Sequence, residues 1–138
     1  MEYRARLSKN EGGNWLVAFP DCPGCQTFGE TKEEAIIAAQ EALEGWLEAH
    51  LATGRIAPSP KAQRGTPIAV NSTLAIVLQL RWARAAQGLS QTAVAKRAGV
   101  SQQAIAKLEH PDGNPTLATL ERVASALGLR LNVQLNAA

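Results

Sequence analysis

Gln91-Thr92-Ala93-Val94-Ala95-Lys96-Arg97-Ala98-Gly99-Val100-Ser101-Gln102-Gln103-Ala104-Ile105-Ala106-Lys107-Leu108-Glu109 reads as two short helical patterns flanking a glycine. Small Ala95 lets the two helices approach, Gly99 takes the left-handed turn, and Val94, Val100, Ile105 and Leu108 fall on the sides that must be buried. Ser101, Gln102, Gln103 and Lys107 are left facing outward. A glutamine amide donates and accepts at once, matching adenine's major-groove edge, while serine and lysine suit base edges or phosphates. The pattern therefore presents a polar helix to a DNA groove. Its bland counterpart is a helical packing unit whose polar face binds nothing, or binds protein.

Outward from this stretch, Ser90, Ser101 and Thr116 are each placed to cap a helix, which predicts helices near 91–98, 101–109 and 116–127. An earlier helix runs from Ser72 through Leu74, Val77, Leu78, Arg81 and Trp82 and stops at Gly88. Gly128 ends the last helix. Leu129, Leu131, Val133 and Leu135 then alternate with Arg130, Asn132 and Gln134, the period of a strand with one apolar face. Such a strand would expose both edge and face, so it is expected to pair with the same strand of a second subunit and to space two DNA-reading helices.

Upstream, residues 57–67 hold three prolines and no apolar periodicity, and are expected to form an exposed linker; Ile68 to Val70 form a short strand at the start of the second domain, 68–138. Residues 1–56 form the first. Tyr3, Ala5 and Leu7 alternate with charged residues over a strand at 2–8, Asn10-Glu11-Gly12-Gly13 supplies a hairpin turn, and Trp15, Val17 and Phe19 share one side of a second strand. Pro20 and Pro23-Gly24 break it before a short third strand from Cys25 to Phe28. Thr31-Lys32-Glu33-Glu34 is a capping box, and Ile36, Ala39, Leu43, Trp46 and Leu47 carry a helix toward Gly54. The fold class is α+β: a β-β-β-α domain, then an all-α domain with a terminal strand.

Charge divides along the same line. Residues 1–57 hold 5 Lys+Arg and 9 Asp+Glu, net −4, and residues 58–138 hold 9 and 3, net +6. The basic half concentrates on phosphate backbones; the acidic half would be repelled by nucleic acid but could meet a basic protein. The chain begins with a charged segment, and no apolar run approaches the roughly 20 residues needed to cross a bilayer, so a cytoplasmic protein is expected.

From Leu74 to Leu127 the sequence resembles the Xre family of phage-repressor-like DNA-binding domains. Carried over by position, the resemblance implies that Gln91 contacts phosphate, Gln102 and Gln103 read bases in the major groove of a palindromic operator, and Asn114 approaches the backbone. Arg84 and Glu109 fall where that family often has a structural ion pair, which favours a structural Arg84 over one held against phosphate. Phe19-Pro20-Asp21-Cys22-Pro23-Gly24-Cys25, followed by Thr27 to Glu34 and an acidic amphipathic helix, resembles the HicB family of antitoxins. That resemblance implies a reduced ribonuclease-H-like first domain that binds and blocks a small basic ribonuclease toxin, HicA, and a second domain that represses the shared operon. Cys22 stands where an apolar residue is expected.

Other chemistries are discounted. Cys22 and Cys25 form Cys-x-x-Cys, but in a strand-to-strand loop rather than at a helix start, and the only histidines, His50 and His110, are single and distant in sequence; inert thiols are expected, with neither metal nor cofactor. Glu2, Glu11 and Asp21 are too scattered along the chain for a two-metal nuclease, so no enzyme is expected. Glu33, Glu34, Glu41, Glu44 and Glu48 read first as a wet helical face, and Trp15, Trp46 and Trp82 as core. Toxin-contacting residues are not assigned. The leading expectation is a type II antitoxin acting as a homodimer or larger homo-oligomer. The alternative is a stand-alone Xre-type repressor whose first domain senses a ligand or oligomerises.

Overall fold

The computed structural model describes residues 1–138. Period-two alternation makes β1 (Glu2–Lys9), burying Tyr3 and Ala5, and β2 (Trp15–Ala18), burying Val17. Between them the Asn10 carboxamide accepts the Asn14 N–H at 2.8 Å, closing the hairpin. β3 (Gln26–Gly29) follows the Pro23-Gly24 turn, one residue later than the sequence suggests. Helix α1 (Lys32–Ala52) starts in the expected capping box: Thr31 Oγ1 accepts the Glu34 N–H at 3.1 Å and Glu34 Oε2 accepts the Glu30 N–H at 3.2 Å.

The buried ridge of α1 is Ala35, Ala39, Leu43, Leu47 and Leu51, a strict four-residue spacing. Ile36 and Trp46, expected in the core, are only half-buried, and Trp46 lies against the His50 ring at 4.0 Å. The cause is the closeness of β3. A Cβ on Gly29 would lie 2.3 Å from the Ala35 N, so the helix rests on the strand through its smallest residues. Leu43, Leu47 and Leu51 each contribute roughly 1.5–3 kcal/mol by leaving water.

The stretch expected to be an exposed linker is held down, which corrects that reading of 57–67. Ala57 is buried, the Tyr3 hydroxyl donates to the Pro58 carbonyl at 2.6 Å, and Asp21 Oδ2 accepts the N–H groups of Lys61 and Ala62 at 2.9 and 2.8 Å. The short strand, β4 (Thr66–Ala69), belongs to the first domain's sheet: it pairs antiparallel with β1, Tyr3 opposite Ile68, giving the order β3-β2-β1-β4. Proline tolerates this edge position because Pro67 needs no ladder donor on its outer side. Contacts divide the chain into Met1–Ile76 and Val77–Ala138. Counted over these units the charges are 7 basic and 9 acidic, net −2, against 7 and 3, net +4, a smaller contrast than the cut after Ala57 gives.

Helix α2 (Ser72–Ala86) is capped by Asn71, whose Oδ1 accepts the Leu74 N–H at 2.9 Å. Glu44 holds that cap, accepting from Asn71 Nδ2 at 2.8 Å, so this carboxylate is structural rather than part of a wet face. In the second unit α3 (Gln91–Ala98), α4 (Gln102–Leu108) and α5 (Leu117–Ala126) begin at Ser90, Ser101 and Thr116, each side chain accepting a backbone N–H as expected. Leu78, Val94, Ile105, Leu108, Val123 and Leu127 form its core. Residues 129–138 form no strand, against expectation. The second unit holds no other strand, and a strand without a neighbour has no ladder to join. No helix is long and apolar enough to cross a membrane.

Candidate functional site

Gly99 is left-handed, at φ 69° and ψ 32°, and the Val100 N–H returns to the Ala95 carbonyl at 3.0 Å, so α3 stops at Ala98 and α4 starts again at Gln102. Ala95 is buried at the crossing. α4 turns Ile105 and Leu108 inward and leaves Gln102, Gln103 and Lys107 exposed. The Gln102 Nε2 donates to the Gln91 Oε1 at 2.8 Å, which brings together two of the residues singled out from sequence. Ser101 is exposed while its Oγ accepts the Ala104 N–H at 3.1 Å, leaving its hydroxyl proton for a ligand. Asn114 is exposed in the following loop, and Gly113 turns so tightly beneath α4 that a Cβ there would lie 2.3 Å from the Lys107 carbonyl oxygen.

Arg84 and Glu109 meet as a fork. Nε and Nη2 of Arg84 reach Oε2 and Oε1 of the buried Glu109 at 2.8 and 2.6 Å, and Nη1 donates to the Leu89 carbonyl at 2.9 Å. This bidentate geometry ties the end of α4 to the end of α2. Sequence reasoning missed that Arg81 also stands 3.9 Å from Glu109; its spacing of three residues from Arg84, which puts both on one face of α2, was the available signal. It also missed Asp112, an exposed acid two residues before Asn114 that lies 3.6 Å from His110.

The first unit offers surfaces rather than a reaction centre. Asp21 is committed to the backbone of Lys61 and Ala62, while Glu2 and Glu11 are exposed. Cys22 and Cys25 are buried free thiols joined by a turn in which the Cys25 N–H meets the Cys22 carbonyl at 3.0 Å. Burial first, then the neighbouring Cys25 and Asp21 charges, pushes the Cys22 thiol up to about 12, and burial alone pushes Cys25 up to about 11. Thiols so protonated are poor nucleophiles at neutral pH. Trp15 is half-buried, with the Lys9 and Lys32 ammonium groups 5.9 and 5.8 Å from its ring, so it ties the hairpin to the start of α1. On the sheet face away from the buried side chains, Leu16 and Phe28 stand opposite each other and are exposed, as is Ile37 on α1.

Comparison with known proteins resolves what these halves are similar to. A helix-turn-helix family profile matches residues 80–134, and the profile of the HicB-like antitoxins of bacterial toxin–antitoxin systems matches residues 3–72. Antitoxin HicB 1 of Photorhabdus laumondii is 29% identical over 135 residues, spanning 98% of this chain and 87% of that one. Antitoxin HicB of Escherichia coli K12 is 28% identical over 135 residues, spanning 96% and 98%. A crystal structure of the Burkholderia pseudomallei antitoxin HicB is similar over 72% of this chain and 93% of that one, at 20% identity and a TM-score of 0.48. With a match covering half its length, the chain belongs to the HicB-like antitoxins of bacterial toxin–antitoxin systems, regulators rather than enzymes, and carries a helix-turn-helix domain in its second half.

Proposed function

We propose that the chain is a type II antitoxin with two jobs in the cytoplasm. Its first unit, a reduced ribonuclease-H-like domain, binds a small basic HicA-like ribonuclease and covers the active site with which that toxin cleaves mRNA. Its second unit, paired with a second copy through residues 129–135, represses the operon that encodes both proteins. The observation that carries this reading is the union, in one chain, of a HicB-like unit with a helix-turn-helix in which Gln91 and Gln102 are hydrogen-bonded and Gln103 is exposed next to Gln102 in sequence.

At the operator, Gln102 and Gln103 read base edges in the major groove, Ser101 and Lys107 contact bases or phosphates beside them, and Gln91 and Asn114 fix the backbone. Arg84 and Glu109 keep α4 in place and touch no DNA, since all three guanidinium nitrogens of Arg84 are already engaged. The net charge of +4 on the second unit favours approach to DNA, and the acids on α1 suit a basic toxin on the first.

The test is co-expression with the small open reading frame beside the gene. Co-purification together with relief of growth arrest is the expected result. If the two proteins neither co-purify nor relieve arrest, while the chain still binds its own promoter, the stand-alone repressor is the correct reading.

A further inference from the structure

Residues 129–135 are poised to pair and have nothing in their own unit to pair with. Leu129, Val133 and Leu135 are 47, 62 and 96% exposed, and no backbone hydrogen bond within the chain engages residues 130–135. The start of the segment is nevertheless fixed: Gly128 reverses the chain at φ 70° and the Leu129 N–H donates to the Ala124 carbonyl at 2.8 Å. An alternating apolar face and a row of free backbone donors and acceptors, leaving a helix end at a defined point, is an edge awaiting another strand.

The pattern is complementary to itself. In an antiparallel pair, facing residues point to the same side of the ribbon. With the two-fold axis at Asn132, Leu129 faces Leu135 and Leu131 faces Val133, in both directions, so all four apolar residues of each chain meet apolar partners. An axis at Leu131 or at Val133 pairs only three of the four. The axis at Asn132 also sets Arg130 against Gln134 and keeps the two Arg130 side chains apart, whereas an axis at Arg130 would oppose like charges. We infer that the occupant of this edge is a second copy of the same chain, with residues 129–135 of the two copies antiparallel about an axis at Asn132. This rests on the proposed dimerisation through the last strand and fixes its register.

Cysteine crosslinking of the full-length chain reads the register. Facing Cα atoms lie about 4.5–5.5 Å apart, within a disulfide's reach of about 6.8 Å, and residues displaced by two positions do not. Asn132→Cys is expected to double in mass on a non-reducing gel after mild oxidation. Leu131→Cys and Val133→Cys each stay single alone and crosslink when co-expressed. The parent chain is the control, since Cys22 and Cys25 are buried. Self-crosslinking strongest at 131 or 133 would overturn the register while leaving the strand-mediated dimer in place. No crosslinking at any of the three positions, in a chain that sediments as a dimer, would overturn both. A parent chain that sediments as a monomer at concentrations that saturate its operator would do the same.

Discussion

In the proposed operator complex Gln102 would arrive already holding Gln91, and that contact has a measurable signature. One amide proton of Gln102 is spent on Gln91 at 2.8 Å; its other proton and its carbonyl oxygen remain, which is what an adenine edge requires. Gln102→Ala should therefore cost about 1–3 kcal/mol of operator affinity with the melting temperature unchanged. Gln91→Ala should be non-additive with it in a double-mutant cycle, because each residue orients the other; strict additivity would show that the pair acts separately. Glu109 makes a different prediction. Removing this buried partner of Arg84 and Arg81 with Glu109→Ala should destabilise the second unit by about 3–5 kcal/mol in urea titrations, since it strands buried positive charge. A third concerns pH. Cys22 and Cys25 hold their protons to about 12 and about 11, against 9.0 for the free thiol, and Tyr3 is shifted in the same direction. The unfolded chain therefore loses these protons first. Their contribution is intact below pH 9 and is lost as pH rises toward 12, so denaturation midpoints of the first unit should fall across that window and recover in part in Cys22→Ala.

Among the elements, α1 shows how closely sequence constrains packing, and where it stops. The capping box at Thr31, the helix span and the inward turn of Leu43 and Leu47 were all legible, because each depends on residues near in sequence. The choice of Ala35 over Ile36 for the core was not, since it depends on Gly29 of β3 lying against the helix backbone. Gly29→Ala should cost about 1–3 kcal/mol through overpacking. Gly45→Ala on the same helix, with open space around its Cβ, should instead stabilise by about 0.5–1 kcal/mol. Chemical denaturation of both variants checks the contrast, and equal effects would contradict the close approach. The helix-turn-helix was read almost residue for residue, because Gly99, Ala95 and the three caps act locally. β4 and the segment before it were misassigned because what holds them is non-local: Tyr3 and Asp21 supply the anchors from far earlier in the chain.

For the whole molecule, the chain joins a HicB-like unit to a helix-turn-helix unit, and the boundary at Ile76 leaves them with net charges of −2 and +4. Under the proposed function, opposite signs would let one chain meet two unlike partners, a basic protein and a polyanion, on different surfaces. Sequence made that division visible but overstated it by placing Lys61 and Arg64 in the second half, when the anchored segment returns them to the first. The central claim is that the first unit inactivates a toxin independently of the DNA-reading helix. It is tested most directly by titrating the purified chain, and its Gln102→Ala/Gln103→Ala variant, into an RNA-cleavage reaction run by the proposed HicA-like partner ribonuclease. Both proteins are expected to abolish cleavage at a fixed stoichiometric ratio and with equal potency. Cleavage that continues unchanged in the presence of excess chain would contradict the account.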